Sequence, residues 1–137
     1  MKKTILLLLA LVASISFAKA EASFDFTSSL PKGWTATVAP YGFTERGAQF
    51  TSSSELTLAN VSNVKEVTIA CYTNSEKDND NSITVYIGEV SFGTKQLARA
   101  TDLTLTFSAA ETVSGDLKIV LTLSASSNAS ALRPALR

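Results

Sequence analysis

Apolar and polar residues alternate with a period of two along most of the chain after residue 20. Such alternation over four to eight residues is typical of a β-strand that has one buried face and one exposed face. No window shows the ten or more residues of 3.6-residue periodicity that a helix would need. The clearest strand candidates span 23–26, 54–58, 66–73, 82–88, 102–108 and 116–124, and shorter ones span 35–38, 48–51, 90–92 and 95–98.

Turn-forming residues separate these segments: PKG at 31–33, APYG at 39–42, NSEKDNDN at 74–81 and SG at 114–115. About eight to ten short strands with turns at this spacing predict an all-β fold, an antiparallel β-sandwich of jelly-roll type. Each strand would bury its aliphatic row between two sheets and turn its Thr, Ser and Lys row to water.

The alternation stops after Leu123, and the chain ends in SASSNASALRPALR. Pro134 in this segment lacks the N–H that a strand ladder uses. The pattern therefore predicts a domain over 21–123 and an irregular C-terminal tail over 124–137. Two alternatives stay open: a frayed tail, or a sandwich that lacks its closing strand and leaves a sheet edge open to a partner.

The first 20 residues have the order of a secretory signal peptide. Lysines stand at positions 2 and 3, an apolar run at 5–12, and small residues close the segment at 18 and 20. The run is much shorter than the roughly 20 residues of a membrane-spanning helix. We expect cleavage after Ala20, no membrane insertion afterwards, and a protein that is secreted, periplasmic or on a bacterial cell surface.

Charge and composition exclude several classes of function. The loss of Lys2, Lys3 and Lys19 with the signal would take the 12 basic residues to 9, against 12 acidic ones, with no basic cluster for nucleic acid. The chain has no histidine, which excludes Ser-His-Asp and Cys-His catalysis and histidine-ligated metal sites. Cys71 lies in an aliphatic row and is interpreted as a core residue. We therefore predict that the protein is not an enzyme.

Asp78 and Asp80 are the candidate metal ligands. Counted from Asp78, the spacing imitates an EF-hand loop, but Ile83 stands where that loop needs glycine, and a strand follows. Two interpretations of the aspartates remain. The favoured one is a solvated turn, and the alternative is a surface Ca²⁺ site completed by loop carbonyls and water. Apart from this Ca²⁺, no cofactor is expected.

Aromatic residues are the second set of candidates, because exposed rings can stack on sugars. Trp34 and Tyr41 lie in turn-rich segments, and Tyr72 and Tyr86 lie on the polar rows of their strands. If 66–73 and 82–87 pair as a hairpin, the two strand tyrosines share a face and lie about one diagonal apart. Packing in the core or in a turn is the favoured role for Trp34.

The segment FDFTSSLPKGWT at 24–35 resembles the opening of secreted jelly-roll modules common in Bacteroidetes, the cleaved-adhesin and choice-of-anchor types with a galactose-binding-like fold. The later order of edge strand, core strand, polar hairpin and I-x-V-x-I-G strand is similar to theirs. The resemblance implies a non-catalytic module that binds glycan or a surface protein, in some relatives with structural Ca²⁺, and it carries Trp34 over as part of the opening motif.

The resulting prediction is a secreted carbohydrate-binding module whose candidate ligand residues are Trp34, Tyr41, Tyr72 and Tyr86. The alternative is a structural or adhesive surface protein that binds another protein, through an open sheet edge or an apolar patch. The two differ in one observable: a glycan binder needs at least one of the four rings exposed.

Overall fold

A computed structural model of the chain describes residues 22–75, 81–98, 100–124 and 127–137. The expected signal peptide, 1–20, lies outside these ranges. Within them, no helix is long and apolar enough to cross a membrane. The described residues form nine strands: β1 Ala22–Ser23, β2 Trp34–Ala36, β3 Gly42–Thr44, β4 Gly47–Phe50, β5 Ser54–Ser75, β6 Asn81–Ile87, β7 Val90–Leu97, β8 Leu103–Thr122 and β9 Ser127–Leu136.

Two of the strands are much longer than the alternation predicts. β5 has 22 residues and β8 has 20, and each joins two segments that the pattern separates. Their pairing is irregular between Leu58 and Glu66, where Asn60 and Asn63 adopt left-handed backbone angles and Gly115 has φ 150°. Asparagine and glycine tolerate such angles, so both strands can bend here without ending.

The bends divide the fold into two layers. The first layer contains β2, residues 54–58 of β5, residues 117–122 of β8, and β6 and β7. The second layer contains β3, β4, β9, β1, residues 66–75 of β5 and residues 103–108 of β8. All pairings are antiparallel. The core between the layers is built from the inward rows, including Leu56, Val67, Ile69, Ile83, Val85, Phe107, Ile119 and Leu121.

The prediction of an irregular tail at 124–137 is wrong, because β9 lies between β4 and β5 in the second layer. Pro134 is tolerated for a geometric reason. Glu66 and Arg137 exchange both backbone hydrogen bonds, so by alternation the N position of Pro134 points away from β5. On that side β4 pairs only as far as Leu132 and β1 begins at Ala135. The missing N–H therefore falls in a gap of the ladder.

The edge strand β7 carries two features that hinder the addition of a further strand. Its pairing with β6 is irregular beside Val85, where Gly93 has φ 106°. Lys95 pairs with the buried Ile83, and its Nζ reaches to 6.0 Å from the ring centroid of Phe107. Bulges and inward-pointing lysines are typical devices against edge-to-edge pairing. This edge therefore does not support the alternative of a partner strand.

Cys71 is buried, as the sequence predicts, and burial raises the pKa of its thiol from 9.0 to about 12. The neutral thiol is therefore favoured by folding. The contribution of the neutral Cys71 thiol to the free energy of unfolding is complete below pH 9. It is lost as pH rises from 9 towards 12, by about 1.4 kcal/mol per pH unit.

We expect the difference in unfolding free energy between the unchanged protein and a Cys71→Ala variant to narrow above pH 9. Thermal or urea unfolding at half-unit steps from pH 7 to pH 11 measures it. Because alanine does not ionise, the variant removes only the cysteine contribution from the pH profile. Parallel profiles across this range would contradict a thiol that is ionised only on unfolding.

Candidate ligand-binding face

Trp34 lies in the core, in its favoured role. Only 6% of the residue is exposed, and its ring packs edge-on against Phe24 and Phe26, with centroids 5.2 and 5.0 Å away. The turn at Pro31 and Gly33 positions it, because Trp34 donates its backbone N–H to the Pro31 carbonyl at 3.1 Å. Trp34 therefore anchors the opening motif and offers little surface to a ligand.

Tyr72 and Tyr86 do not share a face, which corrects the hairpin prediction. β6 pairs with β7 and β8, not with β5. β5 ends in the second layer and β6 begins in the first, so the two strands do not form a hairpin. Alternation places each tyrosine on an outward row, but it cannot distinguish a hairpin from a crossing between layers.

Tyr72 is covered by another side chain. The guanidinium carbon of Arg46 lies 3.9 Å from the centre of its ring. Arg46 also donates its Nε–H to Asp102 Oδ1 at 2.9 Å, and this hydrogen bond is the main cause that raises the pKa of Arg46. One face of the Tyr72 ring is therefore already used in a cation–π contact.

Tyr41 is the most exposed of the four aromatic candidates, at 60%. It precedes β3 and donates its backbone N–H to the Gln49 carbonyl at 2.9 Å, which ties it to the β3–β4 edge of the second layer. Tyr86 lies in the first layer, so the structure does not bring these two rings onto one surface.

Tyr86 lies on the outward face of β6, among mostly polar side chains of the neighbouring strands. Its residue is 36% exposed, and its pairing partners are Lys118 on β8 and Ser91 on β7. Two residues along β6, Thr84 pairs with Thr94, and their hydroxyl oxygens are 2.7 Å apart. An aromatic ring is thus surrounded by hydroxyl and ammonium groups on the outer side of the first layer.

Glu55 completes this surface. It pairs with Val120, which lies two residues after Lys118 on the same outward side of β8. Its Oε1 lies 3.8 Å from Lys118 Nζ. The side chains of Lys118 and Glu55 are 48% and 43% exposed. We call the surface formed by Tyr86, Lys118, Glu55, Thr84 and Thr94 the Tyr86 face.

The sequence pattern predicts Tyr86 as a candidate ligand residue, but it does not indicate Lys118 and Glu55 as its neighbours. Both lie on the outward rows that alternation assigns to water, so their orientation was predictable. Their proximity to Tyr86 was not, because Lys118 and Glu55 belong to other strands and each lies about 30 residues from Tyr86 in sequence. The pairing register of β5, β8 and β6 brings them together.

A groove of about 390 Å³ lies on the outer side of the second layer. Its floor consists of small side chains from β5, β8 and β9: Thr68, Ala70, Thr104 and Ala135. Residues 23–25 form one wall, but the ring of Phe24 is committed to packing on Trp34. The groove therefore presents no free aromatic ring, in contrast to the Tyr86 face.

The candidate Ca²⁺ ligands Asp78 and Asp80 lie outside the described residues. Among the residues that the structure does describe, no group of three or more His, Cys, Asp or Glu side chains could hold a metal ion. The Ca²⁺ site therefore stays a prediction.

No protein-family profile and no curated protein sequence matches this chain. Among solved structures, a family two carbohydrate esterase from Cellvibrio japonicus is similar with a TM-score of 0.60 and 10% identity, over 85% of this chain and 33% of the esterase. A point mutant of CBM29-2, a family 29 carbohydrate-binding module, is similar with a TM-score of 0.56 and 7% identity, over 85% of this chain and 90% of the module.

A family 36 carbohydrate-binding module in complex with calcium and xylotriose has a TM-score of only 0.49 at 12% identity, over 84% of this chain and 96% of the module. This chain spans only a third of the esterase but nine tenths of CBM29-2. At such identities the likeness shows the fold alone. It confirms the predicted all-β, antiparallel jelly-roll sandwich; a Bacteroidetes origin and an adhesin type stay predictions.

Proposed function

We propose that the protein is a secreted, non-catalytic carbohydrate-binding module that holds a glycan on the Tyr86 face. The observation that carries the proposal is the exposed Tyr86 ring on a sheet surface lined by hydroxyl and charged groups. Tyrosine offers a rigid apolar face with a polar end, and such residues dominate binding energies at many interfaces.

The chemistry of the face suits a sugar. A pyranose has an apolar C–H face that can pack on a ring, and its rim of hydroxyl groups can both donate and accept hydrogen bonds. Thr84, Thr94 and Ser91 supply hydroxyl groups around Tyr86, and Lys118 and Glu55 supply a strong donor and a strong acceptor. Small-molecule sites combine apolar contact and a few placed polar groups in this way.

Two observations support a binding role rather than catalysis. The chain has no histidine, and its one thiol is buried with its pKa raised to about 12. The fold is also that of CBM29-2 over nearly the whole module, whereas most of the esterase lies outside the matched part. Secretion is proposed from the signal-peptide pattern of residues 1–20.

A polysaccharide-binding screen tests the proposal. The purified protein is run through gels or over resins that contain cellulose, xylan, β-glucan, galactomannan, alginate or polygalacturonate, with and without millimolar Ca²⁺. We expect retention on at least one polymer. No retention in either condition would reject carbohydrate binding. A melting temperature that does not rise with Ca²⁺ would reject the site at Asp78 and Asp80, because a ligand of the native state must stabilise it.

A further inference from the structure

Lys118 and Glu55 form an ion pair that is open at its centre. The 3.8 Å between Lys118 Nζ and Glu55 Oε1 exceeds the range of an N–H···O hydrogen bond, which is about 2.7–3.2 Å. Both side chains are about half exposed, so neither is held in place by the core. The ammonium protons and the carboxylate oxygens therefore keep capacity for another partner placed between them.

This open pair lies beside the Tyr86 ring. Lys118 is the direct pairing partner of Tyr86, and Glu55 lies across β8 from Thr84. A sugar that packs on Tyr86 would carry its hydroxyl groups towards the gap. A hydroxyl group suits that gap because it can accept from Nζ–H and donate to Oε1 at once, which neither a cation nor an anion can do.

The charge around Lys118 is not positive in sum. Asp116 lies two residues before Lys118 on β8, on the same outward row, and its Oδ1 accepts the backbone N–H of Asn60 at 3.0 Å. One ammonium group is thus accompanied by two carboxylates, those of Glu55 and Asp116. A sulfated or uronic-acid chain would meet like charges here, which costs binding energy.

We infer that Lys118 and Glu55 determine specificity, by holding between them one hydroxyl group of an uncharged sugar that packs on Tyr86. The inference rests on the proposed function and deepens it, because it names the ligand class as neutral glycans. Bridging by a hydroxyl group turns a weak surface ion pair into two charge-assisted hydrogen bonds.

The test compares binding of neutral polymers (xylan, β-glucan, galactomannan) and anionic ones (alginate, polygalacturonate) by the unchanged protein and by Glu55→Gln, Lys118→Met and the double variant. We expect binding to neutral polymers only, about tenfold weaker in each single variant. The double variant should lose little more than either single one, because either change already breaks the bridge. Asp102→Asn, which weakens an exposed ion pair in the second layer, is the control and should bind normally.

The outcomes separate the two proposals. If Tyr86→Ala strongly weakens binding to a neutral polymer but Glu55→Gln and Lys118→Met bind normally, the bridge is refuted and the binding face stands. Preferred binding of alginate or polygalacturonate that weakens with salt also refutes it, because Lys118 would then act as a simple cation. If no polymer binds, the proposed function itself fails.

Discussion

Replacing Tyr86 with alanine is expected to reduce binding of the retained polysaccharide by about 30-fold, because buried tyrosine contacts at binding sites are often worth about 2 kcal/mol or more. The ring is the aromatic surface on the Tyr86 face against which a sugar can pack. Affinity electrophoresis or titration calorimetry measures the loss. The variant should remain folded, because a side chain on an outward row contributes little to the core.

Two further variants make this result specific. Tyr86→Phe keeps the ring and should bind within a few-fold of the unchanged protein. Tyr41→Ala removes the most exposed of the candidate rings, which lies at the β3–β4 edge of the other layer, and should leave binding on the Tyr86 face intact. Strong loss in Tyr41→Ala with normal binding in Tyr86→Ala would place the site in the second layer instead.

The alternation of residues predicts which side of a strand faces the core, and it does so well here. Ile83, Val85 and Ile87 are fully buried, whereas Tyr86 between the last two is exposed. Burial of Cys71 follows from the same rule. These outcomes need only the geometry of one strand, whose successive side chains point to opposite faces.

The arrangement of the strands depends on contacts that no single segment contains. β5 continues through Asn60 and Asn63, so two predicted strands become one bent strand shared by both layers. β5 and β6 are not paired, and their facing ends belong to different layers, which separates Tyr72 from Tyr86. A polar connection of this length can close a hairpin or join two layers, and local sequence does not discriminate between them.

The candidate site shows the same limit. The exposure of Tyr86 was predictable, but Lys118 and Glu55 become its neighbours only through the register of β8 with β6 and β5. For Tyr72, the deciding contact is with Arg46, which comes from the turn between β3 and β4. Long-range pairing therefore selects Tyr86 over Tyr72 as the ring available to a ligand.

Removing residues 124–137 is expected to abolish cooperative folding. Without β9, the backbone groups of β4 and of residues 66–75 of β5 that pair with it would be left without their ladder partners. Water can pair with these groups, but the deletion also removes the buried side chains of Pro134 and Leu136 and uncovers the inward rows of β4 and β5. We expect the combined loss to exceed the roughly 5–15 kcal/mol that typically stabilises a domain. Circular dichroism and thermal unfolding should show no cooperative transition.

Two point variants in β9 measure how much single side chains of this strand contribute to stability. Leu136→Ala truncates a side chain that is only 6% exposed and should lower the free energy of unfolding by about 2–4 kcal/mol. Ala135→Ser, at the neighbouring outward position, should change it by less than about 0.5 kcal/mol. An irregular tail, as the loss of alternation after Leu123 suggests, would leave the melting temperature unchanged in all three proteins. The truncation thus tests whether β9 is needed to close the second layer. A segment with a proline and little alternation can fill this place because β4 and β5 supply the backbone partners on both of its sides.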